Sequence, residues 1–110
     1  MITEIKNKSQ IKAFEAAIEI ANTAAAELID IEDNGTPNND CCLVRLKFYR
    51  GLRQATTLHL VKGWGQFKDY WRVEELVTIG RGSLRSAVAQ EQCRQLRAAG
   101  YDAMYFNSLT

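Results

Sequence analysis

The chain is poor in the residues that build most catalytic and metal centres. Its 110 residues include a single histidine (His59), three cysteines and a single proline (Pro37). With one histidine and no Cys-x-x-Cys pair, a zinc site lacks ligands, and nothing in the sequence calls for a metal or a cofactor. Cys41 and Cys42 are neighbours and Cys93 stands alone. That is a poor disulfide framework, because vicinal cysteines rarely bridge without backbone strain. Reduced thiols are expected, with Cys42 and Cys93 as small core residues. No apolar run approaches the roughly 18 residues that a membrane-spanning helix needs. Behind Met1–Lys6 there is no apolar segment of the secretory type either. These absences point to a cytoplasmic protein with no membrane partner.

What is present is an ordinary globular balance, 46% hydrophobic and 25% charged residues. It excludes collagen-like, low-complexity and disordered classes. Divided in two, a chain of this length would leave each half too small for a proper core. Residues 1–110 therefore read as one domain.

Ile11, Phe14, Ile18, Ala21, Ala25 and Leu28 recur at alternating three- and four-residue steps, the stripe of a helix over about Ser9 to Asp30. Asn7 or Ser9 is placed to cap it by accepting a bond from a backbone N–H. The stripe is too short for a coiled coil, so packing on a sheet is expected. Glu32 to Asp40, with Asn34-Gly35 and Pro37, is turn chemistry and reads as a surface loop. Cys42, Val44, Leu46 and Phe48 then alternate with Leu43, Arg45, Lys47 and Tyr49, as in a half-buried strand. Arg50 to Gln54 makes a turn, and Thr57 to Lys62 returns with Leu58 and Leu60 on the core face. A third strand, Tyr70 to Ile79, carries Trp71, Val73, Val77 and Ile79 on one face. Ser83 is placed to cap a second helix, Leu84 to Ala99, with Gly100 as the residue that ends it. Tyr101 to Phe106 is the last strand. The order α-β-β-β-α-β predicts an α+β fold, an antiparallel sheet with both helices on one face.

The net charge of +1 hides an asymmetry. Residues 1–40 hold three cations against eight acids, a balance of −5, and residues 41–110 hold eleven against five, a balance of +6. A one-sided basic surface suits phosphate or an acidic protein. Gly80-Arg81-Gly82-Ser83 opens the second helix, where backbone N–H groups favour anions and Arg81 and Arg85 stand beside them. Trp64 lies between two glycines close to Phe67, Tyr70 and Trp71. Exposed aromatic residues in such places are favoured anchors of protein interfaces.

Three resemblances attach to these segments. The order helix, three strands, helix, with Gly82-Ser83-x-Arg85-x-Ala87 opening the last helix, resembles double-stranded RNA-binding domains, without their run of consecutive lysines. It implies a basic helix terminus laid across a duplex. Val77 to Phe106, with Leu96-Arg97-Ala98-Ala99-Gly100-Tyr101-Asp102-Ala103, is similar to half of a SPOR-type peptidoglycan-binding domain. Phe48-Tyr49-Arg50-Gly51 resembles the strand-borne arginine of ADP-ribosyltransferases, without a Glu-x-Glu motif downstream.

The reading that follows is a small non-enzymatic interaction protein of adaptor or inhibitor type, the kind that phages and other mobile elements commonly encode. Its expected contact surface joins Trp64, Tyr70, Arg50, Arg53, Arg81 and Arg85. The partner is another protein or a second copy of the chain, as in a homodimer. The alternative is nucleic-acid binding through residues 41–110, and an enzyme built on His59 comes third.

Overall fold

The apolar stripe of the first helix organises the core. A computed structural model describes residues 1–28, 40–55, 60–63, 65–73 and 83–107. A two-residue strand, β1 (Glu4–Ile5), leads into α1 (Lys8–Ala26). Asn7 caps the helix, its side chain accepting from the Gln10 backbone N–H at 2.9 Å. The Gln10 side chain in turn accepts from the Lys6 backbone N–H, so two donors at the helix entrance are satisfied reciprocally. Ile11, Phe14, Ile18, Ala21 and Ala25 are all buried, as their spacing predicts.

The predicted first strand divides in two. Cys41–Arg45 forms β2, Leu46 is a break, and Lys47–Phe48 forms β3, which pairs in parallel with β1. The reason is the loss of a partner. The neighbouring strand begins opposite Arg45, so the chain beyond that point has no ladder to join and takes β1 instead. The Leu46 carbonyl, left out of the ladder, accepts from the Trp71 indole N–H at 3.0 Å.

After a 3₁₀ turn over Leu52–Ala55 the chain returns as β4 (Leu60–Lys62), followed by β5 (Tyr70–Val73). The returning strand does not lie beside β2. It pairs with β5, and β5 pairs with β2, all antiparallel. Helix α2 (Ser83–Ala98) then leads to β6 (Ala103–Phe106) on the other side of β2, giving the sheet order β4-β5-β2-β6. The expected strand residues Thr57–His59 and Glu74–Ile79, the loop at 32–39 and Gly80–Gly82 lie outside the described residues.

Register places Cys42, Val44, Leu60, Val73 and Ala103 on one face of this sheet. Against that face pack Phe14, Ala17, Ile18 and Ala21 of α1 together with Cys93 and Leu96 of α2. The fold is therefore α+β with both helices over one sheet face. The helices meet each other through Ala25, Leu84 and Val88, and through Gln92, whose buried amide donates to Asn22 Oδ1 at 3.0 Å. All three cysteines are buried thiols. Cys42 is pushed well above its ordinary range by its hydrogen bond to Cys93 and by burial, so it stays protonated inside the core.

Gly100 ends α2 at φ +97°. Its N–H donates to the Arg97 carbonyl, and the Tyr101 N–H reaches back to Leu96, both at 3.0 Å. That is a Schellman closure, completed by packing of Tyr101 and Leu96 in one cluster. An added Cβ would meet only the tip of Ile2, at 3.7 Å, so Gly100→Ala carries a purely conformational cost of about 1 kcal/mol. Thermal unfolding followed by circular dichroism should show a fall of about 4 °C. An unchanged midpoint would contradict the left-handed closure.

Candidate functional site

Where β2 ends, the sheet opens into a groove of about 700 Å³ between β1, β3, β4 and β5. Its apolar floor is Leu46, Phe48 and Trp71, and its cations are Arg45, Lys47, Arg53 and Lys62. Glu4 and Asp69 are the acids that line it.

Trp71 is the organising residue. Its register opposite Val44 and Lys62 turns it toward the helix side of the sheet, at the rim of the core. Phe48 meets it edge to face, with ring centroids 5.6 Å apart. Lys62 Nζ lies 4.6 Å and the Arg53 guanidinium 5.0 Å from its ring centroid. Arg53 is held there by donating to the Leu60 carbonyl at 3.3 Å. A second aromatic continues the surface: Tyr49 is 41% exposed, with Lys6 and Lys47 each 5.9 Å from its ring. Cations stacked in this way are attracted to the negative face of the ring, which orients them at the groove.

The charges are unevenly matched. Arg45 is paired with Asp102 at 3.0 Å, and Glu4 with Lys6 at 3.3 Å. Among the described residues, Lys47, Arg53 and Lys62 have no carboxylate partner. Arg53 Nε is buried and makes no hydrogen bond within that set.

Of the six residues expected to form the contact surface, Arg53 lines this groove. Tyr70 lies one residue from Trp71 and so on the opposite sheet face, beside Arg45, whose guanidinium is 5.9 Å from its ring. Arg50 is exposed in the turn after β3. Arg85 sits at the far end of β2, where its Nε donates to the Asp40 carbonyl at 3.3 Å. The structure thus brings Arg53 and Trp71 together and leaves Arg85 apart from them. Trp64 and Arg81, like His59, lie outside the described residues. Lys47 and Tyr49 enter the site only in three dimensions. One sequence signal pointed to Lys62. It shares the face of Leu60, so a cation stands where the register calls for a core residue, which marks the point at which the core gives way to a groove.

Among the described residues no helix is long and apolar enough to cross a membrane, and no group of three His, Cys, Asp or Glu is placed to hold a metal ion. No protein-family model matches this chain, and no curated protein or solved structure matches it.

Proposed function

We propose that the protein is a small non-enzymatic interaction module, of adaptor or inhibitor type, that binds an acidic surface of another protein through the cation-lined groove. The observation that carries this reading is the trio Lys47, Arg53 and Lys62, which lines a groove with an apolar floor and makes no salt bridge among the described residues. An acidic partner segment supplies the missing charge, and an apolar residue beside it covers Phe48 and Trp71.

Two features favour a polypeptide over a nucleic acid. Glu4 and Asp69 interrupt the cations of the groove, so its basic surface is local and not the continuous stripe that tracks a phosphate backbone. The apolar floor of Leu46, Phe48 and Trp71 suits an aliphatic side chain of a polypeptide. A cytoplasmic location belongs to the same reading, supported by three buried cysteine thiols.

The test is binding of labelled polyglutamate, duplex RNA and duplex DNA at about 50 and about 300 mM salt. Polyglutamate is expected to bind at low salt, and the double variant Lys47→Glu/Lys62→Glu to weaken it at least roughly tenfold. Duplex binding tighter than polyglutamate, falling steeply with salt, would transfer the site to nucleic acid. Equal binding by the double variant would remove the groove from the reading.

A further inference from the structure

The C-terminal half of α1 carries two adjacent ridges on its outer side. Ala16, Ile20 and Ala24 form one at four-residue steps, and Glu19, Thr23 and Glu27 form the other. Together with Gln95 of α2 they line a shallow depression of about 500 Å³. Ile20 is 61% exposed. A single exposed isoleucine is ordinary on a protein surface; its setting is what distinguishes this one. Glu19 and Glu27 lie two helical turns apart, about 12 Å, and neither has a salt bridge among the described residues. The last turn of α1 holds no basic side chain, so the negative end of the helix dipole adds to the carboxylate of Glu27. An exposed apolar residue therefore stands beside two carboxylates.

The groove at the end of β2 is its complement in charge and polarity, with an apolar floor and three cations lacking carboxylate partners. We propose that the α1 ridge of one copy seats in the groove of a second copy, with Ile20 over Phe48 and Trp71 and with Glu19 and Glu27 against Lys47, Arg53 and Lys62. The inference rests on the groove being a receptor for acidic protein surfaces, and it names one such surface. Two different patches meet, so the contact is heterologous and each added copy leaves one ridge and one groove open.

Sedimentation velocity of the whole chain tests this. At about 50 mM salt the mass is expected to grow with concentration, and at about 500 mM salt the chain should be monomeric. The groove variant Lys47→Glu/Lys62→Glu and the ridge variant Ile20→Asp should each be monomeric, with circular dichroism showing both folded. Mixed, they are expected to form a 1:1 complex that grows no further, because one intact ridge meets one intact groove. A monomeric wild type, or variants that fail to complement, would overturn the proposal. Polyglutamate separates the two readings. If the wild type binds it through the groove without self-associating, the receptor reading stands and the second copy is excluded; if it does neither, both fall.

Discussion

Gly63→Ala is expected to disrupt the β4–β5 connection and with it the groove. A Cβ at Gly63 would lie 2.0 Å from the Phe67 carbonyl oxygen, and 3.0 Å from both the Phe67 carbonyl carbon and the Tyr70 carbonyl oxygen. All three are backbone atoms, so no side-chain rotation relieves the overlap. The Gly63 N–H donates to the Tyr70 carbonyl at 2.9 Å, so moving the glycine aside breaks the bond that closes the hairpin. A cost of about 3 kcal/mol is expected. Gly51 and Gly65 supply the comparison. Both have positive φ, +80° and +59°, with open space where a Cβ would stand. Alanine there costs only the left-handed backbone, about 1 kcal/mol. Urea unfolding of the three variants should rank Gly63 well below the other two. Because Lys62 and Trp71 are cross-strand partners, polyglutamate binding should fall with Gly63→Ala and persist with Gly51→Ala. Equal stability of the Gly63 and Gly51 variants would contradict the close approach.

Asp40→Ala should be the most damaging change to a polar side chain at the opposite end of β2. Asp40 is buried, and its carboxylate accepts from the Ser86 hydroxyl of α2 and the Tyr105 hydroxyl of β6. It thereby joins three elements that meet where the helix layer covers the sheet. Alanine removes the acceptor and leaves both hydroxyls in a partly buried site, at about 2–3 kcal/mol. Asp40→Asn keeps one acceptor oxygen and should cost less. The Tyr105 phenol is raised above its ordinary range by burial and by its bond to Asp40. Asp40→Ala should therefore move its titration downward, toward that range, which an NMR titration of the Tyr105 ring reads directly. In a Tyr105→Phe background the Asp40→Ala cost should shrink by about 1 kcal/mol. Full additivity in that cycle would mean that the two residues do not support each other.

Local chemistry made much of the fold legible. The helical stripe, the Asn7 cap and the Gly100 stop are each decided within a few residues, by side-chain period, by one accepting oxygen and by one positive φ. The alternation around Cys42 and Val44 correctly gave the face that meets the helices. Strand pairing was less legible. A turn at Arg50–Gln54 shows that the chain reverses, and it carries no information on which strand the return joins. Here β5 comes between β4 and β2, and Lys47–Phe48 leaves the sheet for β1. Those choices depend on backbone groups distant in sequence finding partners, and each is settled by burial of the whole set at once.

The candidate site divides along the same line. Arginines and aromatic residues are visible in the sequence as types, which is why a cation–aromatic surface is expected from it. Which of them share a surface is a matter of register: Tyr70 and Trp71 are neighbours in the chain and lie on opposite faces. The scarcity of histidine, cysteine and proline that marks this sequence determined what chemistry it has the residues for, and its periodicities determined two helices and the faces they bury. The tertiary structure alone decided that Lys47, Arg53 and Lys62 line one groove and that Arg53 and Lys62 stack on Trp71, because this depends on β1, β3, β4 and β5 meeting where β2 ends.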